Sequence, residues 1–355
     1  MKVLITGGAG FIGSNYVYTH LEKRPDDSLV VLDALTYSGH RENLAEAEAK
    51  GVKFVEGRIE DCALVRALFE AEAFEAVVHF AAETHVDRSI KNPGLFVVTN
   101  VQGTQTLLDA ARDFKVKRFH HISTDEVYGD LGFGSTQQFT EDSPLQPSSP
   151  YAASKASSDL LCLSYLRTFG VPVTISRCSN NYGPYQSLEN FIPLMITKAA
   201  ADEALPVYGT GKNVRDWLYV RDHCEAILAI LEKGTVGEIY NIGADNDQEN
   251  LNIVKMILKG LNKPETLITF VKDRPGHDER YSMNYAKMKR VLGWSPSVSM
   301  EEGMRETIAW YIISKGTDVP ANVPTYERSY SRWRDRVQAR ATDQSHQQAS
   351  TAHLQ

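Results

Sequence analysis

The stretch Met1-Lys-Val-Leu-Ile-Thr-Gly-Gly-Ala-Gly-Phe-Ile-Gly13 opens the chain with an apolar run that breaks into glycines at Gly7, Gly10 and Gly13. This pattern predicts a strand, a tight turn and the start of a helix. Glycine is needed where a backbone turns sharply or comes close to a ligand, and a helix N-terminus presents free N–H groups to an anion. The stretch therefore predicts a site for a dinucleotide pyrophosphate. A glycine-rich loop without a ligand is the alternative.

Asp33 ends a second apolar run, Leu29-Val-Val-Leu32. A carboxylate at this place accepts hydrogen bonds from both hydroxyls of a ribose and repels a 2′-phosphate, which favours NAD over NADP. Taken alone, Asp33 is better explained as an acidic turn residue that follows a strand.

Strand-like apolar runs alternate with helical patterns through the first half of the chain. Further predicted strands lie near 52–55, 76–80, 118–122 and 173–177, and predicted helices lie near 61–72, 94–113 and 151–169. The alternation predicts an α/β fold with a doubly wound, Rossmann-like parallel sheet. Ligands of such folds collect at the carboxyl ends of the strands, where polar segments follow at 79–89, 123–129 and 177–184.

Beyond about residue 180 the alternation becomes irregular, which predicts a smaller C-terminal substrate-binding lobe. We assign residues 1–180 to an NAD-binding Rossmann-like domain and residues 181–325 mainly to the substrate-binding lobe. The polar segment 338–355 has the composition of a disordered tail.

The overall charge and the cysteines narrow the choice of partners. The 355-residue chain has a formal net charge of −7, whose field does not attract nucleic acid or an acidic membrane. The four cysteines show no spacing typical of a zinc site or a redox pair, and no apolar run reaches membrane-spanning length. We expect a cytoplasmic protein with no metal, no nucleic-acid partner and no membrane partner.

The segment Pro150-Tyr-Ala-Ala-Ser-Lys155 places a tyrosine and a lysine four residues apart, and so on one face of a predicted helix. A neighbouring ammonium and a nicotinamide cation both favour the phenolate of Tyr151 and would lower its pKa towards neutrality. The pair is a weak signal alone. Joined to the glycine turn and Asp33, it predicts a catalytic base.

With these features in this order, about the first 320 residues resemble the extended short-chain dehydrogenase/reductases that act on nucleotide sugars. Within that group the trio Thr124-Asp-Glu126 is similar to the dTDP-glucose 4,6-dehydratases, whereas epimerases lack the acid pair. Other stretches that carry the resemblance are 33–37, 81–90, 179–185, 215–219 and 273–277.

The resemblance implies that dTDP-glucose is oxidised at C4 of the hexose, loses water across C5 and C6, and receives the hydride at C6, which restores NAD. In that reaction Tyr151, beside Lys155, takes the proton of the 4-hydroxyl, and Thr124 hydrogen-bonds the C4 oxygen. Glu126 removes the C5 proton, and a protonated Asp125 donates to the departing C6 hydroxyl. Repulsion between the adjacent carboxyls raises the pKa of one of them and could keep Asp125 protonated. Because consecutive residues of a strand point to opposite sides, both carboxyls can face the sugar only if the backbone has left strand geometry by Thr124.

The resemblance also implies a set of binding residues. Those expected to contact the cofactor are Gly7, Gly10, Phe11, Ile12, Gly13, Asp33, Thr36, Ile59, Ala81, Ala82, Thr99, Ser123, Tyr151, Lys155 and Asn181. Those expected to contact the nucleotide sugar are Thr84, Thr124, Asn180, Asn190, Arg215, Asn250, Arg274 and His277. A homodimer formed through the helices near 94–113 and 151–169 is implied as well.

Two segments depart from the family pattern. Ser187-Leu-Glu-Asn190 lacks a basic residue expected near the substrate, and Arg58 replaces an acid expected near the adenine.

The alternatives are a 4,6-dehydratase of another nucleotide hexose, a nucleotide-sugar 4-epimerase, and a non-catalytic dinucleotide sensor on the same fold. An epimerase predicts that replacing Asp125 and Glu126 is nearly harmless. A sensor does not need Tyr151, Lys155 and the acid pair together.

Overall fold

The computed structural model describes residues 1–273 and 277–314. The strands are β1 (Lys2–Thr6), β2 (Ser28–Asp33), β3 (Lys53–Glu56), β4 (Ala76–His79), β5 (Arg118–Thr124), β6 (Val173–Cys178), β7 (Asn180–Tyr182), β8 (Leu205–Tyr208), β9 (Val214–Tyr219), β10 (Ile239–Ile242), β11 (Asp247–Glu249) and β12 (Ile268–Val271). The α-helices are α1 (Phe11–Lys23), α2 (Ala45–Ala49), α3 (Cys62–Glu72), α4 (Val86–Lys91), α5 (Pro93–Phe96), α6 (Thr104–Asp113), α7 (Pro150–Phe169), α8 (Phe191–Ala200), α9 (Val220–Lys233), α10 (Asn250–Gly260) and α11 (Met300–Ser314).

A parallel sheet of seven strands forms the centre of the molecule, in the order β10-β6-β5-β4-β1-β2-β3. The strand order reverses at β1, which pairs with β2 on one side and β4 on the other. A crevice opens at the carboxyl ends of the strands where the order reverses, and the glycine turn follows β1 at this place. The predicted doubly wound fold is confirmed.

The central strands are buried on both faces, which explains their nearly continuous apolar sequences. Leu4 packs into a core with α3, α6 and α7, whereas its neighbours Val3 and Ile5 pack into a second core with α1 and α9. Successive side chains therefore cover opposite faces of the sheet. Among the described residues, no helix is long and apolar enough to cross a membrane.

Residues beyond 180 contribute to both parts of the molecule. Strand β10 extends the main sheet beside β6, and α9 packs on its face with α1. The remaining lobe contains the small sheets β11-β9-β7 and β12-β8 and a core of its own built with α8, α10 and α11. A boundary at residue 180 therefore does not separate the main sheet from the lobe. Residues 315–325 and the tail at 338–355 lie outside the described residues.

The predicted helix near 94–113 is divided. It consists of α5, a π-helical segment at Val97–Gly103, and α6. The predicted helix near 151–169 matches α7 closely, because Pro150 and the Ser149 cap define its start and Gly170 its end.

Candidate active site

The glycines after β1 have different structural roles. A Cβ on Gly7, whose φ is +70°, would lie 2.6 Å from the Ala81 nitrogen, and one on Gly13 would lie 2.2 Å from the Gly7 oxygen. The atom nearest to a Cβ on Gly10 would be the Gly7 oxygen at 3.3 Å, so this position can accommodate a ligand. Helix α1 begins directly after Gly10 with no side-chain cap and no acidic residue in its first turn. Its positive end is suited to a pyrophosphate.

The carboxyl ends of the parallel strands line one cleft. It contains every residue predicted to contact the cofactor: Gly7, Gly10, Phe11, Ile12, Gly13, Asp33, Thr36, Ile59, Ala81, Ala82, Thr99, Ser123, Tyr151, Lys155 and Asn181. The two oxygens of Asp33 accept hydrogen bonds from the Ala9 and Leu35 N–H groups, each at 2.9 Å. These bonds fix the carboxylate at the end of β2.

Several buried polar atoms on the cleft wall have no hydrogen-bond partner among residues 1–273 and 277–314. They are Thr99 Oγ1, Ser123 Oγ, Asp125 Oδ2, Ser179 Oγ, Asn180 Oδ1 and Gln186 Oε1. Buried polar atoms are normally paired, so this wall is suited to a polar ligand. Together with the glycine turn and the uncapped helix, these atoms fit a dinucleotide and a sugar.

The Thr124–Glu126 trio lies where β5 ends. The strand stops at Thr124, and a 3₁₀ turn follows at Asp125–Tyr128. Thr124 Oγ1 accepts a hydrogen bond from the Glu126 N–H at 3.3 Å and donates one to Asp125 Oδ1 at 3.1 Å. Because the backbone leaves the strand here, both acids line the same cleft.

Asp125 is suited to act as a proton donor. Its side chain is 2% exposed, and burial together with the neighbouring Glu126 raises its pKa well above the ordinary value. Its Oδ2 atom has no hydrogen-bond partner in the described part of the chain. A neutral carboxylic acid with an unpaired oxygen can donate to a leaving hydroxyl.

Tyr151 and Lys155 follow each other by one turn on α7, and both line the cleft. The Lys155 ammonium donates to the Ile122 carbonyl at 2.7 Å, and burial lowers its pKa. Burial and the charge of Glu126 raise the pKa of Tyr151 well above the ordinary value. The sequence predicts a lower Tyr151 pKa beside both an ammonium and a nicotinamide cation, so it stays a prediction for the protein with NAD bound.

Comparison with known proteins agrees with this geometry. The profile of the GDP-mannose 4,6-dehydratase family matches residues 4–307. A dTDP-glucose 4,6-dehydratase of Xanthomonas campestris is 49% identical over 331 residues, which cover 88% of this chain and 93% of the relative. The chain belongs to the dTDP-glucose 4,6-dehydratase family.

Two further proteins are similar over most of the chain. The crystal structure of a dTDP-glucose 4,6-dehydratase from Streptomyces venezuelae with NAD and dTDP bound has a TM-score of 0.85 and 47% identity, covering 89% of this chain and 98% of that chain. A low-salt glycan biosynthesis protein of Haloferax volcanii is 51% identical over 313 residues, covering 88% of this chain and 99% of the relative.

The structure divides the residues that the dehydratase resemblance assigned to the nucleotide sugar. Four line the cleft, namely Thr84, Thr124, Asn180 and Asn190. Three lie in the lobe and do not line it, namely Arg215, Asn250 and His277. Arg274 lies outside the described residues.

Arg215 connects the lobe to the acid pair. Its guanidinium lies 4.5 Å above the Tyr281 ring and donates to the Val214 carbonyl at 2.8 Å and the Asp278 carbonyl at 2.9 Å. Its charge also opposes the rise in the Asp125 pKa. A guanidinium has five N–H donors, so donors remain for a diphosphate.

Both departures from the dehydratase pattern lie at the cleft rim. Glu189, beside Asn190, accepts from Arg88 at 3.0 Å, and the Arg88 guanidinium lies 4.0 Å above the Tyr37 ring. These contacts attach the departing segment to the main body. Arg58 lines the cleft and lies 3.4 Å from Glu60 Oε1.

His223 on α9 was not identified from the sequence. Its Nδ1 lies 2.9 Å from Asn181 Oδ1, and burial lowers its pKa to about 3. The neutral imidazole therefore donates to Asn181 and orients that amide in the cleft. The sequence gives no signal for this contact, because His223 is one of several polar residues in α9 and its partner is distant along the chain.

Proposed function

We propose that this chain is an NAD-dependent enzyme that converts dTDP-glucose to dTDP-4-keto-6-deoxyglucose. The observation that carries the proposal is the 3₁₀ turn after Thr124, which brings Asp125 and Glu126 into the cleft with Tyr151 and Lys155. A paired acid and base have a task in the loss of water across C5 and C6. A 4-epimerase has no such task for them.

The cofactor fits the first part of the cleft. When bound, NAD supplies the hydride acceptor for C4 and the hydride donor for C6. The turn at Gly7, Gly10 and Gly13 and the N-terminus of α1 would hold the pyrophosphate, and Asp33 would accept the ribose hydroxyls.

Proton transfers are assigned to this chain's own side chains. Tyr151 takes the proton of the 4-hydroxyl, with Lys155 stabilising the phenolate, and Thr124 hydrogen-bonds the C4 oxygen. The resulting ketone makes the C5 proton acidic, and Glu126 removes it. The electron pair of the C5–H bond forms the C5–C6 double bond as the C6–O bond breaks. Asp125 protonates the departing hydroxyl, which leaves as water. Protonated Glu126 returns a proton to C5 when C6 receives the hydride, which gives the 4-keto-6-deoxy sugar.

The lobe is proposed to bind the nucleotide. Arg215, Asn250, Arg274 and His277 would hold the diphosphate and base, and Thr84, Asn180 and Asn190 would contact the substrate from the cleft. The functional division is then a cofactor-binding body, made of 1–180 with β10 and α9, and a substrate-binding lobe made of the remaining residues up to 325. The body has the complete main sheet, and the lobe has a separate core.

A homodimer is proposed through α4 to α7. Exposed apolar side chains lie on this part of the surface, namely Ile90, Leu95, Val97, Val98, Leu160 and Phe169. Two such faces would form a bundle of helices. Light scattering is expected to give the mass of a dimer for the wild type and of a monomer for Leu160→Glu. The control Phe133→Glu changes an exposed aromatic residue elsewhere and should remain a dimer.

The cytoplasm is the proposed compartment, because all four cysteines are free thiols in the structure. Mass spectrometry of protein alkylated during lysis in denaturant, without reductant, should find all four modified, because unfolding exposes the three buried thiols.

The test of function is to incubate the purified protein with dTDP-glucose without added cofactor and to measure the product mass. Loss of one water is expected, and it would also show that NAD stays bound and is recycled. No product with NAD supplied, followed by product from a GDP-, UDP- or CDP-hexose, would reject dTDP-glucose as the substrate. No product from any of them would reject the enzyme and favour the dinucleotide sensor.

A further inference from the structure

A buried polar link lies behind the cleft wall. Arg177, at the end of β6, is 2% exposed and does not line the cleft. Its Nε donates to Asp159 Oδ2 at 2.8 Å, and its Nη1 donates to the Tyr128 hydroxyl at 2.9 Å. The proton transfers described above use none of these three side chains.

The two partners of Arg177 belong to the two segments that carry the proposed chemistry. Tyr128 is the last residue of the 3₁₀ turn that contains Asp125 and Glu126. Asp159 lies on α7 one turn after Lys155, which itself lies one turn after Tyr151, so the three share a face. Arg177 therefore connects the acid pair to the Tyr151–Lys155 pair.

Each end of the link is held in place. The Tyr128 hydroxyl donates to Asn241 Oδ1 at 2.7 Å, and its ring stacks on Phe139 with a centroid distance of 5.0 Å. Burial raises the pKa of Tyr128 to about 12, so it remains a neutral phenol that accepts from Arg177. Burial opposes ionisation of Asp159, but His121 and Arg177 hold its pKa below the ordinary value.

A buried charge pair of this kind is weak evidence for stability, because the desolvation of both ions opposes their attraction. Geometry gives it another role. One bound hexose has to present its 4-hydroxyl to Tyr151 and its C5 and C6 substituents to the acid pair at the same time. The distance between the two segments must therefore be fixed, and small misplacements are costly to rate.

We propose that Arg177 is a positioning residue that, through Tyr128 and Asp159, holds the turn carrying Asp125 and Glu126 at a fixed distance from the α7 face carrying Tyr151 and Lys155. This inference rests on the proposed dehydratase function. Oxidation at C4 requires Tyr151 and Lys155 on α7 and Thr124 at the end of β5, before the turn, whereas elimination of water also requires the acid pair within the turn. Weakening the link should therefore slow elimination and spare oxidation.

The test uses Tyr128→Phe, which removes one hydroxyl from the link and keeps the ring on Phe139. Its control is Tyr165→Phe, because Tyr165 is also buried and donates from α7 to Asp109 at 3.0 Å, away from Arg177. In single turnovers with dTDP-glucose, the absorbance of the reduced cofactor follows oxidation and product mass follows elimination. For Tyr128→Phe we expect elimination to slow about tenfold and oxidation to stay within about twofold. Tyr165→Phe should match the wild type.

A second readout needs no substrate. Hydrogen exchange at residues 125–128 should become faster in Tyr128→Phe, while exchange in the rest of the main sheet stays unchanged. Arg177→Lys keeps a charge beside Asp159 but cannot reach both partners. Its elimination step should therefore slow more, relative to oxidation, than that of Tyr128→Phe. If Arg177→Lys does not fold, Tyr128→Phe decides alone.

Unchanged elimination in Tyr128→Phe, or an equal fall in both steps, would overturn the positioning role, since a merely structural residue lowers both together. A wild-type protein that forms no 4-keto-6-deoxy product overturns the proposed function instead, and with it this inference. The wild-type measurement therefore separates the two failures.

Discussion

The cleft wall of the main body and the lobe are built in different ways. On the cleft wall, the ends of β1, β2, β4, β5 and β6 lie side by side in one sheet, and each contributes residues to the same wall. In the lobe, where we propose that the nucleotide binds, Arg215 belongs to a three-stranded sheet, Asn250 begins α10, and His277 follows β12. In the regular sheet, the order of the strands along the chain determines where their ends lie. In the lobe, the position of each residue depends on the particular segment that connects it.

The polar groups differ in the same way. Ser123 and Ser179 have buried hydroxyls without partners in the described part of the chain, so they depend on what fills the cleft. Arg215 already donates to two backbone carbonyls and stacks on Tyr281. We therefore expect substitutions in the main body to change the chemical steps and those in the lobe to change substrate affinity.

Tyr151→Phe should have the largest effect, because it removes the base for the first proton transfer and leaves the cleft shape intact. We expect kcat to fall about 10³-fold with KM nearly unchanged. Steady-state formation of the keto sugar measures this, and chromatography of the denatured protein checks that NAD is still present. A fall of less than tenfold would contradict the role of Tyr151 and the contrast between body and lobe.

Asp125→Asn and Glu126→Gln separate the dehydratase from the epimerase. Each should slow elimination about 10²-fold, because acid or base catalysis of one proton transfer is lost, while C4 oxidation continues. Reduced cofactor should accumulate without loss of water from the sugar. Nearly normal turnover of a nucleotide sugar by both variants would instead indicate an epimerase.

Arg215→Lys tests the lobe. A lysine cannot form the guanidinium fork for a diphosphate, so we expect KM to rise about tenfold with kcat within twofold. Arg221→Lys is the matched control, since that guanidinium also lies above an aromatic ring, 5.6 Å from the centroid of Tyr219, and Arg221 is not among the residues expected to contact the nucleotide sugar. If Arg215→Lys lowered kcat instead and left KM unchanged, Arg215 would act on the transition state and the contrast would fail.

The smallest effects concern pH. His120 in β5 is buried between Thr174 Oγ1 at 2.9 Å and Ser176 Oγ at 3.1 Å, and burial lowers its pKa from 6.5 to about 3. Its neutral form is favoured in the folded state, so its contribution is present above pH 6.5 and is lost as the pH falls towards 3. Between these values its protonation should lower the unfolding free energy as the pH falls. Denaturant unfolding of His120→Gln should show a shallower acid slope than the wild type.

Asp216 in the lobe has the opposite sign. Burial raises its pKa from 3.8 to about 7, although the N–H groups of Asn246 and Ala244 oppose the rise. Its contribution is therefore present below pH 3.8 and is lost as the pH rises through 7. Asp216→Asn should flatten the loss of stability between these values, and His120→Gln should not. If the unfolding free energy of both variants depended on pH in the same way, the contrast between main body and lobe would be contradicted.

Local patterns in the sequence predict most of the main body and the reaction. The glycine spacing at 7–13, the apolar runs of the strands, and the four-residue spacing of Tyr151 and Lys155 each depend on backbone geometry over a few residues, which is why they can be identified without partners. The resemblance of the Thr124–Glu126 trio to the dTDP-glucose 4,6-dehydratases indicated the reaction, and the relatives confirm the family.

Only the tertiary structure decided how distant segments meet. It placed β10 beside β6, His223 against Asn181, and Arg177 between Tyr128 and Asp159. It also buried Tyr151, which raises its pKa in the protein alone, because burial acts on a group only after packing removes water from it. Local patterns determine strands, turns and helix faces. Pairings across the chain and the exclusion of water depend on the complete fold.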